Sequence, residues 1–428
     1  MRHLGTFSVA LVLVASTATA QEEIYLKVTS PGLQRIVIGL APFASRLGVD
    51  PVAASQFLNT LRADLDQTVV MGLLPEENAR LVEAAPGNPG LTRQRWRAVG
   101  AQLLLEGSFS GAGNQLVVEA QLWELTSGEI AYSRRFQSST SLAPTMAHTL
   151  ANELVRLLTG KPGPFLSRIA FISDRSGAKE LWLMRWDGSD PQQLTTHRSI
   201  ALSPAWSPDG QRLAFTSFLR GQPQLFILRP TQGSFKPLST LPGVNTSASF
   251  SPDGSQVAFA AGDGGSTYIW VVSSEGGTPV QLTTTRGIST QPAWSPNGRQ
   301  IVFTSTVGGS PQLYAIDAEG TNLRRLTFQD TFADEASWAP DGVRLAYTTQ
   351  VDGRFQIATL DLRTNQRTVI DGPWNNESPC WSPDGTMLAF VSTRTGRKQI
   401  FITDPVGRPR QITSEGNNTQ PSWVALVQ

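Results

Sequence analysis

The chain has 428 residues, 40% hydrophobic and only 16% charged, with 35 Lys and Arg against 34 Asp and Glu. Such a composition suffices for packed domains, and it excludes a disordered chain and the basic footprint of a nucleic-acid binder. One Cys and three His exclude an intramolecular disulfide and Cys-cluster metal sites, and leave little for His-based chemistry.

Met1-Arg2-His3 is a short positive segment, Val9 to Ala15 is apolar, and Ala18-Thr19-Ala20 has the small-residue pattern of a cleavage site. Together they predict a secretory signal over residues 1–20, cut after Ala20, and an exported mature chain from Gln21 without membrane insertion. Residues 21–160 then read as an α/β domain. Gln34 to Leu40 is a strand, and Asp50-Pro51 caps a helix whose apolar face is Leu58, Leu61, Leu65 and Val69. Thr92 reads as the cap of a shorter helix holding Trp96 and Val99. Three strands follow, from Gln102 to Phe109, Leu116 to Leu125 and Ile130 to Gln137, with Gly-containing turns between them. Leu142 to Leu158 is a helix ended by Gly160, and residues 161–167, with Lys161-Pro162-Gly163-Pro164, form a stiff linker.

Residues 168–428 repeat. Ala205-Trp206-Ser207-Pro208-Asp209-Gly210 returns around Phe250, Trp294, Trp338 and Trp381, a period of about 44 residues, the size of a propeller blade. A second column holds Phe171, Phe215, Phe259, Phe303, Tyr347 and Phe390, and a third holds Trp182, Phe226, Trp270, Tyr314, Ala358 and Phe401. Ser-Pro-Asp-Gly suits a tight turn after an inner strand. The copy at Arg168 lacks its inner strand, and Gln420-Pro421-Ser422-Trp423 lacks everything after one. The two halves predict a six-bladed β-propeller of WD40-like repeats, closed by the C-terminal strand. The aromatic columns read as packing between blades, and Cys380 as a small buried residue in a slot held elsewhere by Ala or Ser.

No nucleophile elbow, phosphate loop or dinucleotide fingerprint is present. His148, on a helix with no second ligand near, reads as a core or surface residue. The best acidic cluster is Asp334, Glu335 and Glu377, all preceding inner strands, where they converge at a channel mouth as either a polar rim or a cation or acid/base site. No cofactor is implied beyond such a channel cation.

The signal segment, the α/β domain, the Gly160-to-Phe171 joint and the Ser-Pro-Asp-Gly repeats together resemble the TolB family, periplasmic propellers of the Tol–Pal envelope system. The resemblance implies a non-enzymatic, monomeric scaffold that binds the lipoprotein Pal through the propeller mouth and TolA through its N-terminus. It also implies support of outer-membrane integrity and of outer-membrane constriction in cell division, with other outer-membrane proteins as further partners. The family's mouth segments match Asn245-Thr246-Ser247, Thr290-Gln291, Asp334-Glu335, Glu377-Ser378 and Thr419-Gln420 here, with Gln291 in place of an acidic residue and Val244 in place of a His. The TolA arm corresponds to residues 21–32, where Glu22, Glu23, Ile24, Tyr25, Leu26 and Val28 suit strand addition. Alternatives are a propeller hydrolase or lactonase using a channel cation, and a glycan-binding propeller.

Overall fold

The computed structural model describes residues 35–83, 89–370, 372–403 and 409–425. The segment read as a secretory signal, residues 1–20, and the one read as an arm, residues 21–32, lie outside them.

The N-terminal domain is one mixed sheet with helices on both faces. Strands β1 (Ile36–Leu40), β2 (Ala44–Ser45), β3 (Met71–Leu73), β4 (Leu103–Ser110), β5 (Gln115–Glu124) and β6 (Glu129–Ser139) combine with α1 (Pro51–Asp66), α2 (Glu76–Glu83), α3 (Pro89–Ala98) and α4 (Ala143–Thr159). The order is β3-β1-β4-β5-β6, parallel through β1 and antiparallel beyond β4, with β2 also on β4. Asp50 caps α1 by accepting from Val52 N at 2.9 Å, with Pro51 opening the helix. The helix ends at Asp66, so Val69 falls in the turn to β3 rather than on the helical face. Helix α3 likewise starts three residues before Thr92, which sits inside it rather than capping it. α4 stops at Gly160, whose φ of 77° closes the helix in the left-handed conformation that glycine adopts without a Cβ clash.

The propeller has six four-stranded antiparallel blades. The inner strands are Ala201–Trp206, Val244–Phe250, Ser289–Trp294, Ala333–Trp338, Asn376–Trp381 and Asn418–Val424, and they define blades one to six. Asn418–Val424 pairs antiparallel with Arg168–Ser173, so the last strand supplies the inner strand of the blade that the first propeller residues begin. The two aromatic columns are direct cross-strand partners: Phe171 faces Trp182, Phe215 faces Phe226, Phe259 faces Trp270, Phe303 faces Tyr314, Tyr347 faces Ala358 and Phe390 faces Phe401. They pack between blades, as Phe215 and Phe226 do against Ile172 and Leu183 of the preceding blade.

The turns after the inner strands of blades one, two, three and five are built alike, with Ser207, Ser251, Ser295 and Ser382 in equivalent places. In blade one Gly210 N donates to Ser207 O at 2.9 Å, while Ser207 Oγ donates to Asp209 Oδ1 and accepts from Arg212 N. Gly210 takes φ 67° there, which is why the fourth position is Gly. Neighbouring inner strands are tied by side chains: the backbone N–H groups of Trp206, Trp294, Trp381 and Trp423 donate to Ser422, Ser249, Ser337 and Cys380 of the preceding blade. Cys380 therefore fills a hydroxyl's slot, half-buried, and burial pushes its thiol up to about 11.

The two domains share one core. Phe165, Ile169, Met184, Trp186 and Met387 of the linker and propeller cluster with Leu61, Leu65, Leu154 and Leu158 of α1 and α4. Beneath this contact His148 Nδ1 lies 2.8 Å from Asp64 Oδ2, both fully buried, with the ring edge of Trp186 against His148 and Arg410 over Trp186. His148 is therefore a buried polar pin between α1 and α4, and burial lifts the Asp64 carboxyl to about 6. Removing one partner of such a pair leaves the other unsatisfied in the core. Asp64→Ala is expected to cost about 3 kcal/mol in urea unfolding followed by tryptophan fluorescence; a loss within experimental error would show that the pin contributes nothing.

Candidate functional site: the propeller mouth

All six inner strands share one irregularity. A bulge interrupts the register between Leu202 and Ala205, Thr246 and Ser249, Thr290 and Ala293, Asp334 and Ser337, Glu377 and Cys380, and Thr419 and Ser422. In each bulge one non-glycine residue is left-handed: Ser203, Ser247, Gln291, Glu335, Ser378 and Gln420, with φ between 50° and 57°. Pro204, Pro292, Pro379 and Pro421 follow four of them. A bulge leaves residues out of the ladder, so Pro, which has no N–H, is tolerated there. Left-handed backbone at a residue with a Cβ costs about 1 kcal/mol each, and here it recurs once per blade at the bulge.

The segments named from the sequence include five of these six positions; Ser203, in the equivalent slot of blade one between Leu202 and Pro204, was not among them. Ser203, Gln291, Glu335, Ser378 and Gln420 line a central cavity of about 480 Å³, walled further along by Trp206, Trp294, Trp338, Trp381 and Trp423. The inner-strand aromatics thus serve both the blade packing and the channel wall.

The ring is knitted across blades. Ser203 N donates to Gln420 Oε1 at 2.9 Å. Glu335 accepts from Ser378 N, Ser378 Oγ and Thr348 Oγ1, each at 2.9 Å. Glu335 N donates to Asp334 Oδ1 at 2.8 Å. Burial, then the neighbouring Asp334 charge, push the Glu335 carboxyl up to about 7, and burial raises Asp334 as well. Glu377 is held by Lys398 Nζ. Among the described residues no group of three or more acidic, His or Cys side chains has the spacing of a metal site. The three carboxylates are brought to one throat, but each is engaged by protein donors. Asn245 differs from the rest of the expected set: it is fully buried, accepts from Ser239 Oγ and donates to Leu241 O, so it supports its loop instead of facing outward.

Antiparallel blade order puts the loops that enter the inner strands and the loops between second and third strands at one end of the ring. Ile200, Leu219, Ile288, Val307, Phe328 and Trp374 all lie on those loops and are exposed, Phe328 at 72% and Trp374 at 41%. Apolar side chains gathered on one rim around a polar throat have the character of a protein-docking face.

A family model described as the TolB beta propeller domain matches residues 155–427, and one described as the TolB amino-terminal domain matches residues 24–131. The chain belongs to the TolB family. Proteins named Tol-Pal system protein TolB from Syntrophotalea carbinolica and Geobacter sulfurreducens are 33% and 34% identical to it over 217 residues. These matches cover 49% of this chain, and the chain spans about half the length of these curated relatives, 49% and 50%. The crystal structure of TolB from Acinetobacter baumannii is similar over 92% of this chain and 97% of that one, with a TM-score of 0.80 and 25% identity. The two-domain fold and the six-bladed ring are thus those of the TolB family. No helix among the described residues is long and apolar enough to cross a membrane.

The raised Glu335 carboxyl makes stability depend on pH. Unfolded, the group titrates near 4.5; folded, near 7. Between these values the folded state holds the extra proton, so its contribution is full below 4.5 and is lost as pH rises through 7. Glu335→Gln removes the titration. In thermal unfolding from pH 4.5 to 7.5 the variant is expected to gain on the parent by roughly 2 kcal/mol; parallel curves would contradict the burial of this charge.

Proposed function

We propose that this TolB-family chain is a non-enzymatic periplasmic scaffold of the Tol–Pal system. Its propeller mouth binds Pal, and its N-terminal arm, Gln21 to Gly32, binds TolA. Through these contacts it supports outer-membrane integrity and outer-membrane constriction in division. The observation that carries this reading is the ring of six left-handed, non-glycine residues under an exposed apolar rim. A rigid ring with a polar throat accepts a protrusion from a partner without reorganising itself, so little of the binding energy is lost to ordering. Thr246, Ser247, Thr290, Gln291, Asp334, Glu335, Glu377, Ser378, Thr419 and Gln420 are the contact residues of this proposal. The engagement of Asp334, Glu335 and Glu377 by internal donors weighs against the alternative of a channel hydrolase, which needs them free for a cation or water.

Calorimetric titration of the chain from Gln21 with the soluble periplasmic domain of Pal from the same organism tests the reading. Saturable binding is expected, weakened about tenfold or more by Glu335→Ala, which removes a buried acceptor of three hydrogen bonds. Removal of about the first 12 mature residues, the span read as strand-forming, is expected to abolish binding of TolA's periplasmic domain. Two folded proteins that do not associate at high concentration would refute the Pal assignment.

A further inference from the structure

One slot of the propeller repeat varies in a way the fold does not require. Four residues after each second-strand aromatic, at the start of a mouth-face loop, stand Arg175, Leu219, Asp263, Val307, Val351 and Arg394. Four blades close without Arg there, so the two arginines, on adjacent blades six and five, are not packing necessities.

Both are held alike. Arg394 Nε donates to Ser392 Oγ at 3.0 Å and its Nη2 to Asn376 Oδ1 at 3.5 Å, and its guanidinium lies 4.6 Å from the Phe401 ring and 5.2 Å from Trp374. Arg175 Nε donates to Ser173 Oγ at 3.0 Å and its Nη2 to Asn418 Oδ1 at 3.1 Å, with Trp182 at 4.8 Å. Aromatic faces and a hydroxyl fix each fork while leaving several of its five N–H donors unused. Arg175 is recessed, 12% exposed, and its one carboxylate is the exposed Glu415, 3.9 Å away. Arg394 has no carboxylate within ion-pair distance among the described residues, and burial alone acts on it, lowering its pKa. Around them Arg397, Lys179, Arg198 and Arg220 are exposed on the mouth-face loops of blades five, six and one.

We infer that the arc over blades five and six is an anion-docking surface, and that its occupant is an acidic protein segment whose carboxylates meet Arg394 and Arg175. A desolvated, pre-oriented guanidinium without a counter-ion is poised for bidentate carboxylate binding. The recess selects a protruding chain over a flat lipid surface, which reaches only the outer four cations. The inference rests on the proposed docking role of the mouth and adds that the partner is seated off-centre, acidic side toward blades five and six.

The test is calorimetry of the Pal periplasmic domain with the parent, Arg394→Gln, Arg175→Gln and Arg394→Lys at 50 and 200 mM NaCl, with circular dichroism confirming each fold. The Gln variants are expected to bind at least tenfold more weakly, with a shallower dependence of log Kd on log salt, and Arg394→Lys to recover part of the affinity. Parent affinity and salt slope in both Gln variants would overturn the arc while leaving the mouth reading intact. If the Pal domain does not bind the parent, that reading fails and hexaglutamate is the probe. Binding of hexaglutamate but not hexalysine, lost in Arg394→Gln, supports the arc, and no binding of either overturns it. Cosedimentation with phosphatidylglycerol vesicles that Arg394→Gln abolishes and hexaglutamate does not displace would assign the arc to lipid and overturn the protein occupant.

Discussion

Ring closure is the constraint on which the rest of this molecule depends. The pairing of Asn418–Val424 with Arg168–Ser173 joins residues separated by most of the propeller and turns six sheets, none able to bury both faces alone, into one closed body. The same strand carries Gln420 into the ring, Asn418 against Arg175, and Trp423, whose indole N–H donates to Ser167 Oγ at the domain joint. One strand thus sets the mouth, one anion-binding fork and the seat of the N-terminal domain.

The mouth shows how a repeat becomes asymmetric. The backbone device is the same six times, a bulge with a left-handed residue, whereas the side chains differ: Ser, Ser, Gln, Glu, Ser, Gln. The bulge carboxylates Asp334, Glu335 and Glu377 sit on blades four and five, where Glu335 is held in place by three donors. Basic residues concentrate on blades five, six and one. A partner meeting this ring meets a rigid frame with a directional charge pattern, and such a pattern fixes orientation more than it adds affinity. Burial of Glu335 is tolerated because its carboxyl stays protonated nearly to neutrality.

Much of this was legible in the sequence, for identifiable reasons. Packing repeats leave a period: the aromatic columns located strands, blades and closure, because every blade buries the same positions. Asp50-Pro51 and Gly160 announced helix ends because capping is local chemistry. Strand β3 and helix α2 were missed, since three residues of strand and a helix with few apolar residues leave little periodicity. Val69 was misplaced because the Thr68 hydroxyl, donating to Leu65 O and Met71 O, closes the chain into a turn just past Asp66, and Thr92 because α3 opens three residues earlier, at Pro89. At the site, polar loop positions pointed to the ring, but burial of Asn245 and the link between Glu335 and Ser378 are properties of the folded blades. Arg175 and Arg394 were readable as departures from a column, a signal that appears only when the repeat is aligned on its aromatic.

Hydrogen–deuterium exchange of the chain alone and with the Pal periplasmic domain tests the central claim, that the mouth face is the docking surface, most directly. The account predicts protection in the loops and bulges around Thr246-Ser247, Thr290-Gln291, Asp334-Glu335, Glu377-Ser378 and Thr419-Gln420, and around Arg175 and Arg394. Protection confined to the opposite turns, Ser207 to Gly210 and their repeats, or to the N-terminal sheet would contradict it.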